Sequence, residues 1–274
     1  MKSFISLKGA SGLGDSIYAY PICKYYAARY ETVNIMSKYP VLFQGLKNVN
    51  VYDHKKVNYI NTPSGDKIPI DIRFTYCGKK YTAGTSQFQD SCESAGIKES
   101  INLSIPWKVK NIALIEYIKD VADGRPICMM AAPYEPFGRE DQWGKLLRID
   151  SRILYDIVES RPDVCFVQIG NKYTLHSIET ADIDIINETS VSDLMDIASI
   201  CDIGLSQVGN LLPMCESQCK KTFIIYSRKA VESDNKFISA IVPEKVTHFK
   251  KLNTSIYDDD TNHVKRFNES LYAR

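Results

Sequence analysis

The chain has 274 residues, of which 44% are hydrophobic and 24% are charged, and its formal net charge at pH 7 is +1. Its length suits one large domain or two smaller ones, and the apolar content excludes an intrinsically disordered chain. A near-neutral balance gives no overall field that would recruit nucleic acid or an anionic membrane. No apolar run approaches the ~20 residues of a membrane helix, and residues 1–7 are too short for the apolar region of a signal peptide. We therefore expect a cytoplasmic protein without a membrane span.

Eight cysteines and four histidines are scattered along the chain without a metal-ligand pattern. Cys128 and Cys165 lie inside apolar, strand-like runs, where a reduced and buried thiol is the ordinary interpretation. Cys215 and Cys219 share one face of a predicted helix but have no histidine pair nearby, so zinc is not expected. The sequence predicts neither a metal nor another cofactor.

The most informative stretch is the glycine-rich segment 8–16 (KGASGLGDS). An apolar run precedes it and a helical pattern follows it, which predicts a strand, a tight turn and a helix. Three glycines within six residues let the backbone bend sharply and let another group approach closely. Free N–H groups at the start of the helix would favour a phosphate or a group that develops negative charge.

Three interpretations of this turn compete. A P-loop needs a lysine where the chain has Asp15, whose carboxylate would repel nucleotide phosphates, so that class is excluded. A dinucleotide fingerprint needs a third glycine where Ile17 stands, which makes that signal weak. In the third interpretation the turn, shaped by Gly12, Gly14 and Ser16, presents Asp15 at the mouth of a cleft. The competing structural role for Asp15 is that it only caps the helix.

Pro21 follows Asp15 by six residues and would remove a backbone hydrogen bond inside a continuous helix. We therefore predict an irregular turn over 12–20 and a helix that has Pro21 in its first turn. The pattern of Gly14-Asp15, then Pro21, then an amphipathic helix resembles the N-terminus of the heptosyltransferase-like glycosyltransferases of family 9, which have the GT-B fold. The resemblance implies that Asp15 is the catalytic base.

Strand-like and helical segments alternate along the rest of the chain, which is typical of βαβ units with parallel sheets. The polar run 81–93 is either plain surface or an acceptor-binding loop. We predict an α/β protein with two Rossmann-like, doubly wound domains, 1–105 and 106–256. The GT-B resemblance implies that the two domains face a cleft, and that a C-terminal helix within 257–274 packs back on the first domain.

Ligands of open α/β sheets bind at the carboxyl ends of the strands, and three strand ends in the second half carry candidate groups. After the first of these strand ends, the resemblance implies a loop with a basic residue that binds the diphosphate. Arg139 is the nearest match to that residue and Lys145 the next. The alternative is a solvated surface charge beside two acidic residues. Gly170 and Asn171 follow the next strand, where a glycine permits close ligand approach or an ordinary turn.

The third strand end, Gln207 to Asn210, leads into a helix predicted to start at Gly209, where free N–H groups would hold a diphosphate without a metal. The family usually has Asp-Thr-Gly here and a histidine three residues after the glycine, whereas this chain has Gln-Val-Gly and Leu212. This departure argues against a heptose donor and leaves nucleotide-sugar binding open. Glu216 matches an acidic residue that contacts ribose in many GT-B enzymes; otherwise it is a surface glutamate.

Asp182 and Asp184 form the Asp-x-Asp pattern that holds a divalent metal in GT-A transferases. In a strand the two carboxylates would share one face and could reach one cation. The pattern lies two-thirds along the chain, however, whereas GT-A enzymes carry it in their first half. We therefore favour a mechanism without metal.

Together these features predict a metal-independent, inverting glycosyltransferase that uses a nucleotide-diphosphate sugar. Asp15 would take the proton from an acceptor hydroxyl, while the helix start at Gly209 and Arg139 or Lys145 would stabilise the leaving diphosphate. The acceptor is a saccharide, as is usual in the family, or a hydroxylated base in DNA, whose backbone several lysine pairs could contact. The alternative class is a non-catalytic nucleotide or nucleotide-sugar binding protein on the same scaffold.

Overall fold

A computed structural model describes residues 2–55, 57–74, 87–133, 149–172, 174–207, 211–226, 254–258 and 262–272 of the chain. The chain divides into two compact units, Met1–Pro106 and Trp107–Arg274. Each unit is built on a parallel β-sheet with helices, so the predicted α/β class is confirmed. No helix in the part of the chain that the structure describes is long and apolar enough to cross a bilayer.

The described residues of the first unit form six short strands and two α-helices. The strands are β1 (Lys2–Lys8), β2 (Tyr30–Met36), β3 (Val49–Tyr52), β4 (Tyr59–Asn61), β5 (Lys67–Pro69) and β6 (Ile72–Arg73). The helices are α1 (Leu13–Ala27) and α2 (Gln87–Ser94), with a 3-10 turn at Pro40–Phe43. The main sheet is parallel, in the order β3-β2-β1-β6, and β4 and β5 form a separate antiparallel hairpin.

Helix α1 is buried over most of its length rather than on one face. Gly14 and every residue from Ser16 to Cys23 are buried. The helix runs through Pro21 without a break, so the predicted irregular turn over 12–20 is wrong. Pro21 has no N–H to donate to the carbonyl of Ile17, and one helical hydrogen bond is lost. Burial of the apolar side chains around it, with Ile17 and Ile22 at 0% exposure, outweighs that loss.

The second unit contains a larger parallel sheet. Its strands are β7 (Ile127–Ala131), β8 (Cys165–Ile169), β9 (Ile183–Asp184), β10 (Ile203–Gln207), β11 (Lys221–Tyr226) and β12 (Thr254–Asp258). Its helices are α3 (Ile112–Ala122), α4 (Arg152–Glu159), α5 (Val191–Ile200), α6 (Leu212–Gln218) and α7 (His263–Tyr272). The six-stranded order is β12-β11-β10-β7-β8-β9, the doubly wound Rossmann arrangement.

The neighbouring interior strands β7 and β8 are buried at every position, which explains their continuous apolar sequences. Some predicted boundaries differ from the observed ones. Ser190 caps helix α5, where a helix starting at Ser192 is expected from the sequence pattern, because the Ser190 Oγ accepts a hydrogen bond from the Asp193 N–H at 3.2 Å. Helix α6 begins at Leu212, and its predicted start at Gly209 lies outside the described residues.

The C-terminal helix α7 packs in the core of the second unit. Phe267 is 0% exposed, with its ring centroid 5.4 Å from that of Phe223 and 6.1 Å from that of Phe166. Arg161 Nη1 donates to Asn268 Oδ1 at 2.6 Å. The buried face of this helix therefore contacts the second unit through Phe267. Packing of the C-terminal segment on the first domain stays a prediction.

Candidate functional site

The most distinctive site of the first unit lies where its parallel strands end. Strands β2 and β6 pair with opposite edges of β1, so the chain changes direction across the sheet at β1. Ligands of such sheets bind at this switch point, at the carboxyl ends of the strands. The glycine turn 9–12 follows β1 there and leads directly into α1.

Asp15 is the third residue of helix α1 and is half-buried. Its Oδ2 accepts a hydrogen bond from the Gly12 N–H at 2.9 Å, so Asp15 does cap the helix as one interpretation predicted. Burial raises the pKa of the Asp15 carboxyl, and the Gly12 hydrogen bond and the nearby His54 oppose that rise. A carboxylate with a raised pKa is a better proton acceptor, and capping does not prevent that role.

Two glycines of the turn leave room for these contacts. The backbone of Gly12 is extended (φ −75°, ψ 163°), a conformation open to any residue, but a Cβ there would lie 2.7 Å from Asp15 Oδ2. A Cβ on Gly9 would lie 2.8 Å from Cε2 of Phe74. A side chain at either position would therefore force a neighbour to shift, the Phe74 ring at residue 9 and the Asp15 carboxylate at residue 12.

A buried pair of hydroxyls fixes the start of α1 to the segment that follows β2. Ser16 Oγ lies 3.0 Å from Ser37 Oγ, and the Tyr39 N–H donates to Ser37 Oγ at 3.0 Å. Burial raises the pKa of the Tyr39 hydroxyl, and the Asp15 carboxylate raises it further. The contact between Ser16 and Ser37 thus holds the start of α1, which carries Asp15, close to the segment that carries Tyr39.

His54 and Tyr39 are members of this site that the sequence did not reveal. Each lies within three residues of the end of a strand, His54 after β3 and Tyr39 after β2. Parallel strands bring such residues to one edge, and that shared position was the available signal. The strand order, which decides which strand ends become neighbours, is absent from the sequence pattern.

In the second unit the strand order also reverses, between the neighbours β7 and β10. Arg139 and Lys145 follow β7 in the segment 134–148, and Gly209 and Asn210 follow β10; all four lie outside the described residues. Gln207 is the last residue of β10. The predicted donor-site segments therefore follow the two strands that flank the switch point, while the placement of their side chains stays a prediction.

Gly170 and Asn171 follow β8, and Asn171 lines a pocket of about 510 Å³. The Asn171 N–H donates to Thr174 Oγ1 at 3.1 Å, and a Cβ on Gly170 would collide with that hydroxyl. The pocket is also lined by Lys172, His176, Asp184, Asn187 and Glu188. Its polar lining suits a hydrogen-bonding ligand, and its position places it at the carboxyl edge of the sheet.

Glu216 on helix α6 is 8% exposed, so the interpretation of a surface glutamate is wrong. The helix packs closely on β10, since a Cβ on Gly204 would collide with the thiol of Cys215. Glu216 is buried because α6 lies against the sheet rather than in solvent. A contact between Glu216 and ribose stays a prediction.

The Asp-x-Asp pair is engaged by the protein itself. Asp182 forms an ion pair with Arg125 Nη1 at 2.8 Å, and its Oδ2 accepts the Phe166 N–H at 2.8 Å. Asp184 Oδ1 accepts the N–H of Ile186 at 3.1 Å. Among the residues that the structure describes, no three His, Cys, Asp or Glu side chains are grouped closely enough to hold a metal ion.

The seven cysteines that the structure describes are all buried and form no disulfide, as the sequence predicted for Cys128 and Cys165. Burial raises the pKa of Cys165 to about 11 and that of Cys92 to about 12. At neutral pH the thiols of Cys165 and Cys92 stay protonated, so these two side chains serve packing rather than nucleophilic chemistry.

Gly12→Ala tests whether lack of a side chain at residue 12 holds Asp15 in place. The new Cβ would push the carboxylate away from the Gly12 N–H and remove this end-cap of α1. We expect the free energy of unfolding to fall by about 1 kcal/mol, measured by denaturant titration. Gly45→Ala is the control, because a Cβ at Gly45 meets only the Tyr20 hydroxyl, at 3.7 Å. Equal stability of the two variants would contradict the steric role of Gly12.

No protein-family model matches the sequence. No curated protein matches it either. Solved structures do match: heptosyltransferase II of Escherichia coli at TM-score 0.63 and 12% identity, covering 99% of this chain and 98% of that one. A family 9 glycosyl transferase from Veillonella parvula matches at TM-score 0.62 and 12% sequence identity, and the match covers 98% of this chain and 89% of that one. The E. coli heptosyltransferase WaaC, solved with ADP, matches at TM-score 0.54 and 8% sequence identity, and the match covers 97% of each chain. The chain therefore has the heptosyltransferase-like GT-B fold.

Proposed function

We propose that this protein is a glycosyltransferase that moves a sugar from a nucleotide-diphosphate sugar to an acceptor hydroxyl. The observation that carries the proposal is the half-buried Asp15 carboxylate, with its raised pKa, at the switch point of the first sheet. A fold shared with heptosyltransferases supports the reaction class. In this reaction Asp15 is the catalytic base.

The hydrogen bond from Gly12 assigns different roles to the two carboxylate oxygens. Oδ2 is held by the Gly12 N–H, whereas Oδ1 makes no hydrogen bond within the described part of the chain. Oδ1 is therefore the oxygen that takes the proton from the acceptor hydroxyl. As the proton leaves, the acceptor oxygen bonds to the anomeric carbon, and the bond from that carbon to the diphosphate oxygen breaks. One displacement of this kind inverts the anomeric configuration.

We place the donor at the carboxyl ends of β7 and β10, where the strand order of the second sheet reverses. The segments after these strands contain Arg139, Lys145 and the glycine turn 207–210. Guanidinium, ammonium and backbone N–H groups stabilise a leaving diphosphate without a metal. The polar pocket beside Gly170 and Asn171, together with Glu216, is assigned to the nucleoside part of the donor.

A saccharide hydroxyl is the proposed acceptor, in keeping with the name of the first matched structure, an ADP-heptose lipopolysaccharide heptosyltransferase. Leu212 stands where the family usually has a histidine, so we do not assign heptose as the sugar of the donor. A non-catalytic nucleotide-sugar binding protein is the competing function. The glycosyltransferase and the binding protein differ in whether Asp15 is needed for chemistry or only for the fold.

Asp15→Asn separates these two functions. The amide oxygen can still accept the Gly12 N–H, but the side chain no longer takes a proton, so we expect turnover to fall by about 100-fold or more. Nucleoside diphosphate release from a panel of nucleotide-diphosphate sugars measures turnover without a known acceptor, since water replaces it slowly. Donor affinity, measured by calorimetry, should change by less than a few-fold. Asp120→Asn, on the exposed side of α3, is the control. Normal turnover of the Asp15 variant would exclude Asp15 as the base.

The same variant has a second expected effect, on stability. Because the pKa of Asp15 is raised on folding, the folded state holds this proton more tightly than the unfolded state. The free energy of unfolding therefore falls as pH rises from the ordinary carboxyl pKa through the raised one. At neutral pH, Asp15→Asn should melt at a higher temperature than the wild type, and the gap should close towards pH 4. A variant that melts lower at neutral pH would assign Asp15 a purely structural role.

Activity is expected to persist in EDTA. Asp182 is engaged by Arg125, and the groups proposed to bind the diphosphate are cationic or backbone N–H groups. The measurement is donor turnover after dialysis against EDTA, compared with the same sample after Mn²⁺ or Mg²⁺ is added. Loss of turnover in EDTA with recovery in either metal would overturn the metal-independent mechanism.

A further inference from the structure

Four cationic side chains stand at the carboxyl edge of the first sheet. Lys8 is the last residue of β1 and Arg73 the last of β6, while Lys38 and Lys55 follow β2 and β3 within three residues. Ligands of parallel sheets bind at this edge, and Asp15 lies just beyond β1 on the same edge. The place where an acceptor meets the proposed base is therefore rich in positive charge.

Two of the cations, Lys8 and Arg73, are neighbours across a pair of strands. Strands β1 and β6 pair in parallel with Lys8 opposite Arg73, so both side chains leave the sheet on the same side. Neighbouring strands lie about 4.8 Å apart, which places the two side chains next to each other. Burial lowers the pKa of the Lys8 ammonium, and the Arg73 guanidinium lowers it further. An anion bound by both groups would relieve the repulsion between them.

The protein's own carboxylates do not neutralise this edge. None of the four cations forms an ion pair within the described residues. By contrast, Arg29 and Arg125 each lie within 3.2 Å of a carboxylate oxygen. Asp53, after β3, pairs with none of the four, and the Asp71 Oδ2 accepts the Ser6 N–H at 2.7 Å. The positive charge is thus available to a ligand.

Hydrogen bonds position the two neighbouring cations and still leave donors for a ligand. Lys8 Nζ donates to the carbonyls of Lys55 at 2.6 Å and Val57 at 2.8 Å, so two of its three N–H groups are engaged. Arg73 Nη2 donates to Asn58 Oδ1, and the other donors of this exposed guanidinium make no hydrogen bond within the described residues. A planar guanidinium held in this way matches the oxygens of a phosphate or carboxylate.

We propose that Arg73 and Lys8 bind an oxyanion of the acceptor, so that the acceptor is a saccharide with a phosphate or carboxylate group. This assignment rests on the proposed function and deepens it, because it names the chemical class of the molecule whose hydroxyl Asp15 deprotonates. The exposed Lys38 and Lys55 attract the same charge from a distance. Once its anionic group is held, the rest of the acceptor lies over the edge that carries Asp15, whereas a neutral saccharide lacks this contact.

Binding of anionic sugars tests the inference without any sugar transfer. Glucose 6-phosphate supplies a phosphate, glucuronate supplies a carboxylate and glucose is the neutral control, and each is titrated into the protein in ¹⁵N NMR experiments. We expect at least one anionic sugar to shift the Arg73 Nε–H signal and the amides of residues 8–12, and glucose to shift neither. The shifts should weaken at high salt, which screens exposed charges. Absence of these shifts with both anionic sugars would overturn the inference.

Arg73→Gln is the matched variant, because its amide N–H can still donate to Asn58 Oδ1 but the side chain carries no charge. We expect the affinity for the anionic sugar to fall by about tenfold or more. Arg73→Lys keeps the charge without the planar set of donors and should lose less affinity. Arg152→Gln removes an exposed arginine from α4 in the second unit and should change nothing. Unchanged affinity in Arg73→Gln, shown to be folded by its melting temperature, would sink the proposal.

Nucleoside diphosphates distinguish the acceptor from the donor as the source of the oxyanion. If ADP or UDP shifts the Arg73 signal and displaces the anionic sugar, this edge binds the donor diphosphate and the inference is wrong. The reaction itself is tested by donor turnover in Asp15→Asn. Anionic sugar binding without any turnover would support the oxyanion site and exclude the glycosyltransferase. Transfer to a neutral saccharide that Arg73→Gln leaves unchanged would exclude the anionic acceptor and support the glycosyltransferase.

Discussion

The candidate site depends on one hydrogen bond, from the Gly12 N–H to the Asp15 Oδ2. A Cβ at residue 12 would lie 2.7 Å from Oδ2, so a side chain there would have to displace the carboxylate, and the bond leaves Oδ1 for the proposed chemistry. A longer side chain at position 12 would occupy the space of the carboxylate itself. A glycine followed three residues later by an aspartate thus fits this turn without displacement of the carboxylate, which gives a physical reason for the short sequence pattern. The observed capping and the proposed catalysis would use the same side chain through different oxygens.

The sequence predicted the strand, the glycine turn and the candidate base, because all three are local features of one short segment. It failed at Pro21, since local propensity takes no account of burial, and α1 is enclosed by its unit over most of its length. His54 and Tyr39 were missed for another reason. Their proximity to Asp15 follows from the strand order β3-β2-β1, and a sequence contains no direct record of which strands pair. The contacts of Phe267 on α7 were missed for the same reason, because Phe166 and Phe223 lie on strands far away in the chain.

In the second unit, strand order distinguishes segments that look equally suited to ligand binding in the sequence. Glycine turns after β8 and β10 look alike in sequence, and an arginine among acidic residues is commonplace. Once β7 and β10 are neighbours, the segments that follow them become the expected ligand site. Burial also revises the interpretation of Glu216, since a buried carboxylate needs a reason to be there that a surface one does not.

The first site balances opposite effects on one carboxyl group. Burial makes Asp15 a stronger proton acceptor but also makes its ionised form costly, so burial alone would leave the base protonated over part of the working pH range. The Gly12 N–H offsets that cost at every pH, because a backbone amide does not titrate in this range. The nearby His54 acts in the same direction as the Gly12 bond, and both oppose the effect of burial on the Asp15 pKa. The position of Asp15 in the cap of α1 therefore supplies the contact that keeps its ionised form accessible in a half-buried site.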